Sequence, residues 1–313
     1  MGYRNRNYPA LLESGERANV IVYKADADIL SRIKNANFVG AHLAARGLPV
    51  RHQLDSRIIK LQSANRTKYA GVYNYLPGHT IPWEGYTQKH LKLLGWTMGE
   101  MHRQLANVTL PVATTAVAEY LAIVRRMQAY FAQPAIQHAL NAKLGLHIDP
   151  TIFRHFNRLL NAADHLPHQR ILHLDFVRSN ILFGTSSHFQ IGDVAVTGII
   201  DFEKAAIGHP ALDLARTLAF LLVDCKYKPE AKIRKYFLQS GYAKRGGGVI
   251  PPSSLLEPLV TLFLTYDFYK FLRHNPYESL GQNEHFVRTR DRLLQRSIIA
   301  PTRFATSPAK PLL

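Results

Sequence analysis

Cysteine is nearly missing from this chain: Cys225 is the single one in 313 residues, which excludes an intramolecular disulfide and a thiolate zinc site. It sits in the apolar run Leu218–Cys225 and reads as a small buried hydrophobe. Long apolar stretches are also lacking. None approaches the roughly 18 residues that a spanning helix needs, and the start Met1-Gly2-Tyr3-Arg4-Asn5-Arg6 has no apolar signal core. Arg6 stands where N-myristoylation wants Ser or Thr, so the expectation is a cytoplasmic protein without a membrane partner. Fifteen histidines form no H-E-x-x-H, and neither G-x-S-x-G nor G-x-x-x-x-G-K-[ST] occurs, which removes zinc protease, serine hydrolase and P-loop readings.

Acids are scarce as well, with 22 Asp and Glu against 39 Lys and Arg and a formal charge of +17. Such a balance often marks a nucleic-acid binder. Here the excess is spread out: residues 1–74 hold twelve Lys/Arg against five Asp/Glu, which leaves +10 of the +17 to the larger remainder. Nucleic acid is therefore not expected as a partner. The densest stretch, Arg288 to Arg292 with Arg296, reads as a solvated helix face. With 47% hydrophobic residues the chain can bury a sizeable core, and a length above about 250 residues favours more than one lobe.

What is present is concentrated in one run, Ile171-Leu172-His173-Leu174-Asp175-Phe176-Val177-Arg178-Ser179-Asn180-Ile181-Leu182-Phe183. An acid follows a histidine by two residues and an amide follows that acid by five, between strand-like flanks. In phosphoryl transfer to a hydroxyl, such an acid takes or orients the hydroxyl proton, and the amide oxygen ligates a Mg²⁺ on the nucleotide phosphates. Alone, H-x-D-x-x-x-x-N also arises by chance, and an Asp ending a strand is commonly a turn or cap residue. Two further elements follow in order: Val196 to Glu203, with Asp201 closing an apolar strand, and Gly208-His209-Pro210-Ala211-Leu212-Asp213-Leu214-Ala215, opening an apolar helix.

Together the three elements resemble the aminoglycoside phosphotransferase and choline kinase superfamily of small-molecule kinases, whose pattern runs H-G-D-x-x-x-x-N, then [IV]-D-[FW]-[ED], then G-x-P-x-x-D-L-A. Every polar position is supplied here; Leu174 replaces the usual glycine of the loop. The resemblance implies an α+β, two-lobed, protein-kinase-like fold with a small antiparallel-sheet N-lobe and a mainly helical C-lobe. It implies ATP, with GTP as the alternative, and Mg²⁺. Asp175 would be catalytic, Asn180 and Asp201 metal ligands, and His173 and Asp213 structural supports of the loop. A protein kinase is excluded, because no A-P-E follows Asp201 and Gly208-His209-Pro210 arrives within seven residues.

Residues 1–75 read as the nucleotide-binding N-lobe, a sheet plus one helix. Ala18–Ala25 is expected as a strand, Asp26–Asp28 as a turn, Ile29–Lys34 as a further strand and Phe38–Arg46 as a helix stopped by Gly47. In the resembled family the strand before that helix carries a phosphate-binding lysine, which puts Arg32 or Lys34 in that role; the plain reading is two cations on an exposed edge strand. The glycine loop is reduced to Glu13-Ser14-Gly15-Glu16, and no glutamate stands near Ala36 or Asn37 to steady a lysine. Ala70 to Thr80, with Asn74, Leu76, Pro77 and Gly78, resembles the family's hinge, where strand-edge backbone reads an adenine; an inter-domain turn would use the same residues.

Residues 76–299 read as the helical C-lobe with catalytic loop and acceptor site, and 300–313, with three prolines, as a flexible tail. Leu91–Leu105 is a core helix with His102 in its stripe, and the aromatic run Leu255–Leu272 is core packing. Asp267, Glu257 and Glu284 are acids open to a cationic acceptor, although the basic balance favours a neutral or anionic small-molecule hydroxyl acceptor. The rival reading is a pseudokinase serving as a nucleotide-binding scaffold. Retention of Asp175, Asn180 and Asp201 together speaks against it; the thin glycine loop speaks for it.

Overall fold

From residue 29 to 44 the buried positions Ile29, Ile33, Ala36, Val39, Gly40 and Leu43 recur every three or four residues, the period of a helix packed on one side. A computed structural model, which describes residues 5–26, 28–63 and 66–302, accordingly forms one helix over Ile29–Ala44. The expected strand Ile29–Lys34 is thus corrected: its six residues satisfy a period of two and of 3.6 alike, and the burial of Ala36 to Leu43 beyond them decides for the helix. Ala27, inside the expected turn, and residues 303–313 of the expected tail lie outside the described residues.

The N-terminal sheet consists of β1 (Arg6–Leu11), β2 (Arg17–Val22), then, after α1 (Ile29–Ala44), β3 (Ile59–Ser63) and β4 (Arg66–Asn74), in the antiparallel order β1-β2-β4-β3. Beneath it Ile21, Tyr23, Ile29, Ile33 and Tyr73 form a small separate core. The rest is mainly helical: α2 (Gln88–Gln104), α3 (Ala116–Phe131), α4 (Pro134–Leu144), α5 (Ile152–Asp164), α6 (Ala211–Asp224), α7 (Glu230–Arg234), α8 (Ser253–His274), α9 (Tyr277–Leu280) and α10 (Glu284–Gln295), with a π-helical segment over Lys235–Ala243. Short strands are set among them: β5 (Leu146–Ile148), β6 (Arg170–Leu172), β7 (Ile181–Gly184), β8 (Gln190–Ile191), β9 (Val194–Ile199), β10 (Ala206–Gly208) and β11 (Ile299–Pro301). This is the two-lobed α+β architecture that the motifs implied.

Three features position the site. α6 is buried along almost its whole length, packed on α8, so the loop that meets its N-terminus rests on rigid core. The three-stranded sheet β7-β9-β8 carries Asn180 just before β7 and Asp201 just after β9. Both crossings between the lobes are stitched to it: Val50 bridges Ile199 in parallel, and His79 bridges Phe183, with N–H···O bonds of 3.0 and 2.9 Å. Gly78 sits at φ +109 where a Cβ would run into Thr197 and the Phe183 carbonyl, so only glycine lets the crossing lie this close.

Two further expectations change. The tail begins as structure, since Ile299–Pro301 pairs with β5 and Thr302 N–H donates to the Gly145 carbonyl at 2.8 Å. The basic stretch on α10 is only partly a solvated face, because Arg288 and Arg292 donate to the carbonyls of Val223 and Leu222 at 2.6 and 3.2 Å and Arg292 also pairs with Glu230 at 3.0 Å. Its arginines tie α10 to α6 and α7. No helix among the described residues is long and apolar enough to cross a membrane.

Candidate active site

The loop after β6 is held by one buried carboxylate. Asp213, in the first turn of α6, accepts from the backbone N–H of His173 at 2.8 Å and of Leu174 at 2.6 Å, and its Oδ2 lies 3.0 Å from His102 Nε2. The His102 ring continues to the Tyr242 hydroxyl at 3.0 Å, so α6, the loop, α2 and the π-helical segment share a chain of bonds. Leu174, where the resembled family has glycine, adopts φ +60. A side chain in that region costs roughly 1–2 kcal/mol. Burial of the leucine in the core and the bond from its N–H to Asp213 offset that cost.

His173 links the two halves of the site. Its Nδ1 accepts from the Asp175 N–H at 3.2 Å, which leaves the proton on Nε2 to donate to the Ile200 carbonyl at 3.1 Å. Burial lowers its pKa and keeps the ring neutral, and it packs against Phe202 at 4.6 Å. His173 and Asp213, expected as supports, thus both bond to the backbone of this loop.

Asp175 and Asn180 face each other across the turn Arg178–Asn180. Asn180 Nδ2 donates to the Asp175 carbonyl at 2.9 Å and to its carboxylate at 3.3 Å, which fixes the amide with its oxygen turned away. Burial alone would raise the Asp175 carboxyl, but the charges of Lys204 and Arg216 and a 2.7 Å bond from Lys204 outweigh it and hold the acid below its ordinary range. It is a carboxylate at neutral pH, able to accept a proton.

Asp201 follows β9 in the left-handed conformation, φ +69, beside Asn180, whose carbonyl takes the Ile200 N–H at 3.0 Å. Its pKa is raised, first by burial and then by the neighbouring Glu203. Glu203 is instead held low, because the Arg51 guanidinium 2.6 Å away outweighs its own burial. The Glu203 Oε2 is buried without a partner. The Asp201 carboxyl, the orphaned Glu203 oxygen and the Asn180 amide oxygen, which takes only a long 3.4 Å bond from the Ser179 hydroxyl, are oxygen donors of the kind a hard cation prefers, so the residues fit Mg²⁺. No group of three or more His, Cys, Asp or Glu stands ready for a metal among the described residues.

The nucleotide-side residues are arranged otherwise than their motif suggested. Arg32 and Lys34 lie on α1, where Arg32 pairs with Glu119 of α3 at 2.7 Å and Lys34 is exposed. The strand before that helix is β2, whose flanking cations are Arg17, stacked over the Tyr75 ring at 5.3 Å, and the exposed Lys24. Asn74 spends its N–H on the His52 carbonyl at 3.1 Å and its side chain on His52 N and Val50 O at 2.8 and 3.2 Å. Leu76 lies over Gly198 of β9.

Several residues escaped the motifs. Lys204 had a local signal, as the cation that follows the D-F-E motif, whose Glu203 was in the pattern but given no role; Arg51, 152 residues before its partner, had none. The acids considered for a cationic acceptor are engaged: Glu257 with Arg234, Glu284 with Lys226, Asp267 with Arg216 and Lys270.

Known proteins share this fold. The solved structures similar to this chain include an amicoumacin kinase, hAmiN, in complex with AMP-PNP, Ca²⁺ and Ami, with TM-score 0.68 and 13% identity over 95% of this chain and 87% of that one. A microcompartment-associated aminopropanol kinase matches with TM-score 0.61 and 14% identity over 93% of each chain. A Plasmodium vivax ethanolamine kinase matches with TM-score 0.55 and 13% identity over 93% of this chain and 80% of that one. At these identities the likeness shows the fold alone. No curated protein matches the sequence significantly. The model of the phosphotransferase enzyme family matches residues 2–233, a span that holds β6 to α6 and with them Asp175, Asn180, Asp201 and Asp213. The chain belongs to that phosphotransferase family, as its likeness to the aminoglycoside phosphotransferase and choline kinase superfamily implied.

Proposed function

We propose that the protein moves the terminal phosphoryl group of ATP to a hydroxyl of a small molecule. One observation carries the reading: Asn180 locks the Asp175 carboxylate on its loop while Asp201 is presented beside it from the end of β9. Asp175 accepts the hydroxyl proton as the new O–P bond forms and the bond from that phosphorus to the bridging oxygen breaks, releasing ADP, and it stays in place because its backbone is bonded to His173, Val177 and Asn180. Lys204, half exposed and 2.7 Å from that carboxylate, is placed to meet the charge of the transferred group. Asp201 and the Asn180 oxygen would hold Mg²⁺, which when bound offsets the phosphate charge. The base is read by backbone at Leu76, past the last paired residue of β4, since the Asn74 N–H is already committed. The AMP-PNP complex of the amicoumacin kinase supports ATP, and the GDP complexes of an aminoglycoside 2'-phosphotransferase keep GTP as the alternative.

Thermal unfolding with ATP, with and without Mg²⁺, tests this. Stabilisation of roughly 2–3 kcal/mol is expected at about a hundredfold excess over Kd, only with the metal, and Asp201→Ala should abolish it. Metal dependence that survives in Asp201→Ala would move the ion elsewhere, and nucleotide binding without turnover of any acceptor would favour a scaffold.

A further inference from the structure

After α1 the chain crosses between the lobes through Pro49-Val50-Arg51, which runs alongside β9: the Ile199 N–H donates to the Pro49 carbonyl at 2.8 Å and the Arg51 N–H to the Ile199 carbonyl at 2.9 Å. From the other side α1 closes on the same backbone, because a Cβ on Gly40 would run into the Arg51 carbonyl. Arg51 is thus anchored to the strand that presents Asp201. Its side chain, 10% exposed, lies 5.1 Å over the Tyr73 ring, and its charge is felt at Asp201 as well as at Glu203. Nη2 donates to Glu203 at 2.6 Å and is the one guanidinium nitrogen with an acceptor among the described residues. Nε and Nη1 keep their N–H groups unspent and are not sealed from solvent.

The sheet brings no charge to this junction. Just past β2 the buried residue is Tyr23, whose hydroxyl donates to that of Tyr73 at 2.6 Å, and Tyr73 donates to Asn37 of α1 at 2.9 Å. Where protein kinases join strand to helix through a lysine and a glutamate, this chain uses neutral side chains. We propose that Arg51 binds the nucleotide phosphates: Nη2 stays on Glu203 while Nε and Nη1 hold phosphate oxygens, so the ion pair that orders the phosphates comes from the inter-lobe crossing and the D-F-E segment instead of from sheet and helix. A guanidinium can do both at once, because its planar fork carries donors on more than one edge, whereas an ammonium is a single point of charge. The proposal rests on the phosphotransferase reading above for the nature of the ligand. It also accounts for a helix without a glutamate, since the partner of the cation is Glu203.

Calorimetric titration of the full-length protein with ATP plus Mg²⁺ and with adenosine tests the idea. Arg51→Met should weaken ATP at least about tenfold and leave adenosine unchanged, and Arg51→Lys, which keeps the charge and loses the fork, should recover part of the loss. Undiminished ATP affinity in Arg51→Met, or equal loss for both ligands as a merely structural tie to Glu203 would give, would overturn the assignment. Arg51→Met leaves Glu203 buried and unpaired, so a measurement on the unaltered protein decides the matter if that variant does not fold. Phenylglyoxal labelling of Arg51, read by mass spectrometry of its peptide, should proceed in the free protein, slow with inorganic tripolyphosphate and with ATP plus Mg²⁺, and ignore adenosine. No labelling of the free protein, or labelling indifferent to polyphosphate, would also overturn it. ATP binding that leaves Arg51 labelling unchanged sinks Arg51 alone, whereas protection by tripolyphosphate without any binding of ATP upholds Arg51 as a phosphate ligand and sinks the phosphotransferase reading.

Discussion

Around Asp213 the polar groups of the catalytic loop bond to a carboxylate, a neutral imidazole or each other, while in the small core under the N-terminal sheet the bonds run from Tyr23 to Tyr73 at 2.6 Å and on to Asn37 at 2.9 Å and involve no charge. Asn37 lies where a glutamate was sought on α1, and that helix contains no acid. The two regions answer to different demands. On the proposed reading the loop must fix a carboxylate against a hydroxyl, and side chains of Asp213, His173 and Asn180 all bond to its backbone. The sheet has only to be covered, and two buried tyrosines with an amide do that while leaving the Asn37 Nδ2 without a partner.

The comparison is sharpest at the reacting group itself. Asp175→Asn should cut kcat about 10²- to 10⁴-fold, the usual contribution of a positioned proton acceptor, and leave the Kd for ATP unchanged, because the carboxylate faces Lys204 and the acceptor side. Equal loss of ATP affinity in a direct titration would take the acid out of that role.

Next in size is the support. Asp213→Ala removes the acceptor of two backbone N–H groups and the partner of His102 in one step. Buried partners left unpaired in this way cost on the order of 3–5 kcal/mol. Tyr23→Phe deletes one hydrogen bond between side chains, worth about 1 kcal/mol. Urea unfolding of both variants would measure the ratio, and comparable losses would erase the distinction between a specified loop and a merely covered sheet.

The same contrast explains what could be read in advance. Asp175 and Asn180 are five residues apart, and the loop between them has its geometry written into adjacent side chains; Asp201 and Asp213 follow in the order their strand and helix require. Local chemistry of that kind is legible. Arg51 meets Glu203 across 152 positions, so it had no pattern to betray it. On α1 the failure was one of period: six residues with apolar positions at both ends fit a strand and a helix equally, and tertiary burial made the choice.

The smallest effect concerns that misread segment. The Arg32 side chain is about one third exposed and pairs with Glu119, itself about two fifths exposed, at 2.7 Å between α1 and α3. Exposed pairs of this kind contribute roughly 0.2–1 kcal/mol, so Arg32→Ala should lower stability by no more than that. A double-mutant cycle with Glu119→Ala should return the same small coupling. Because the guanidinium is held toward α3, the ATP affinity of Arg32→Ala and of Lys34→Ala should both match the unaltered protein. A tenfold loss in either, at unchanged stability, would show that α1 meets the nucleotide phosphates directly and would restore to the sheet side the charge-based logic now seen only at the loop.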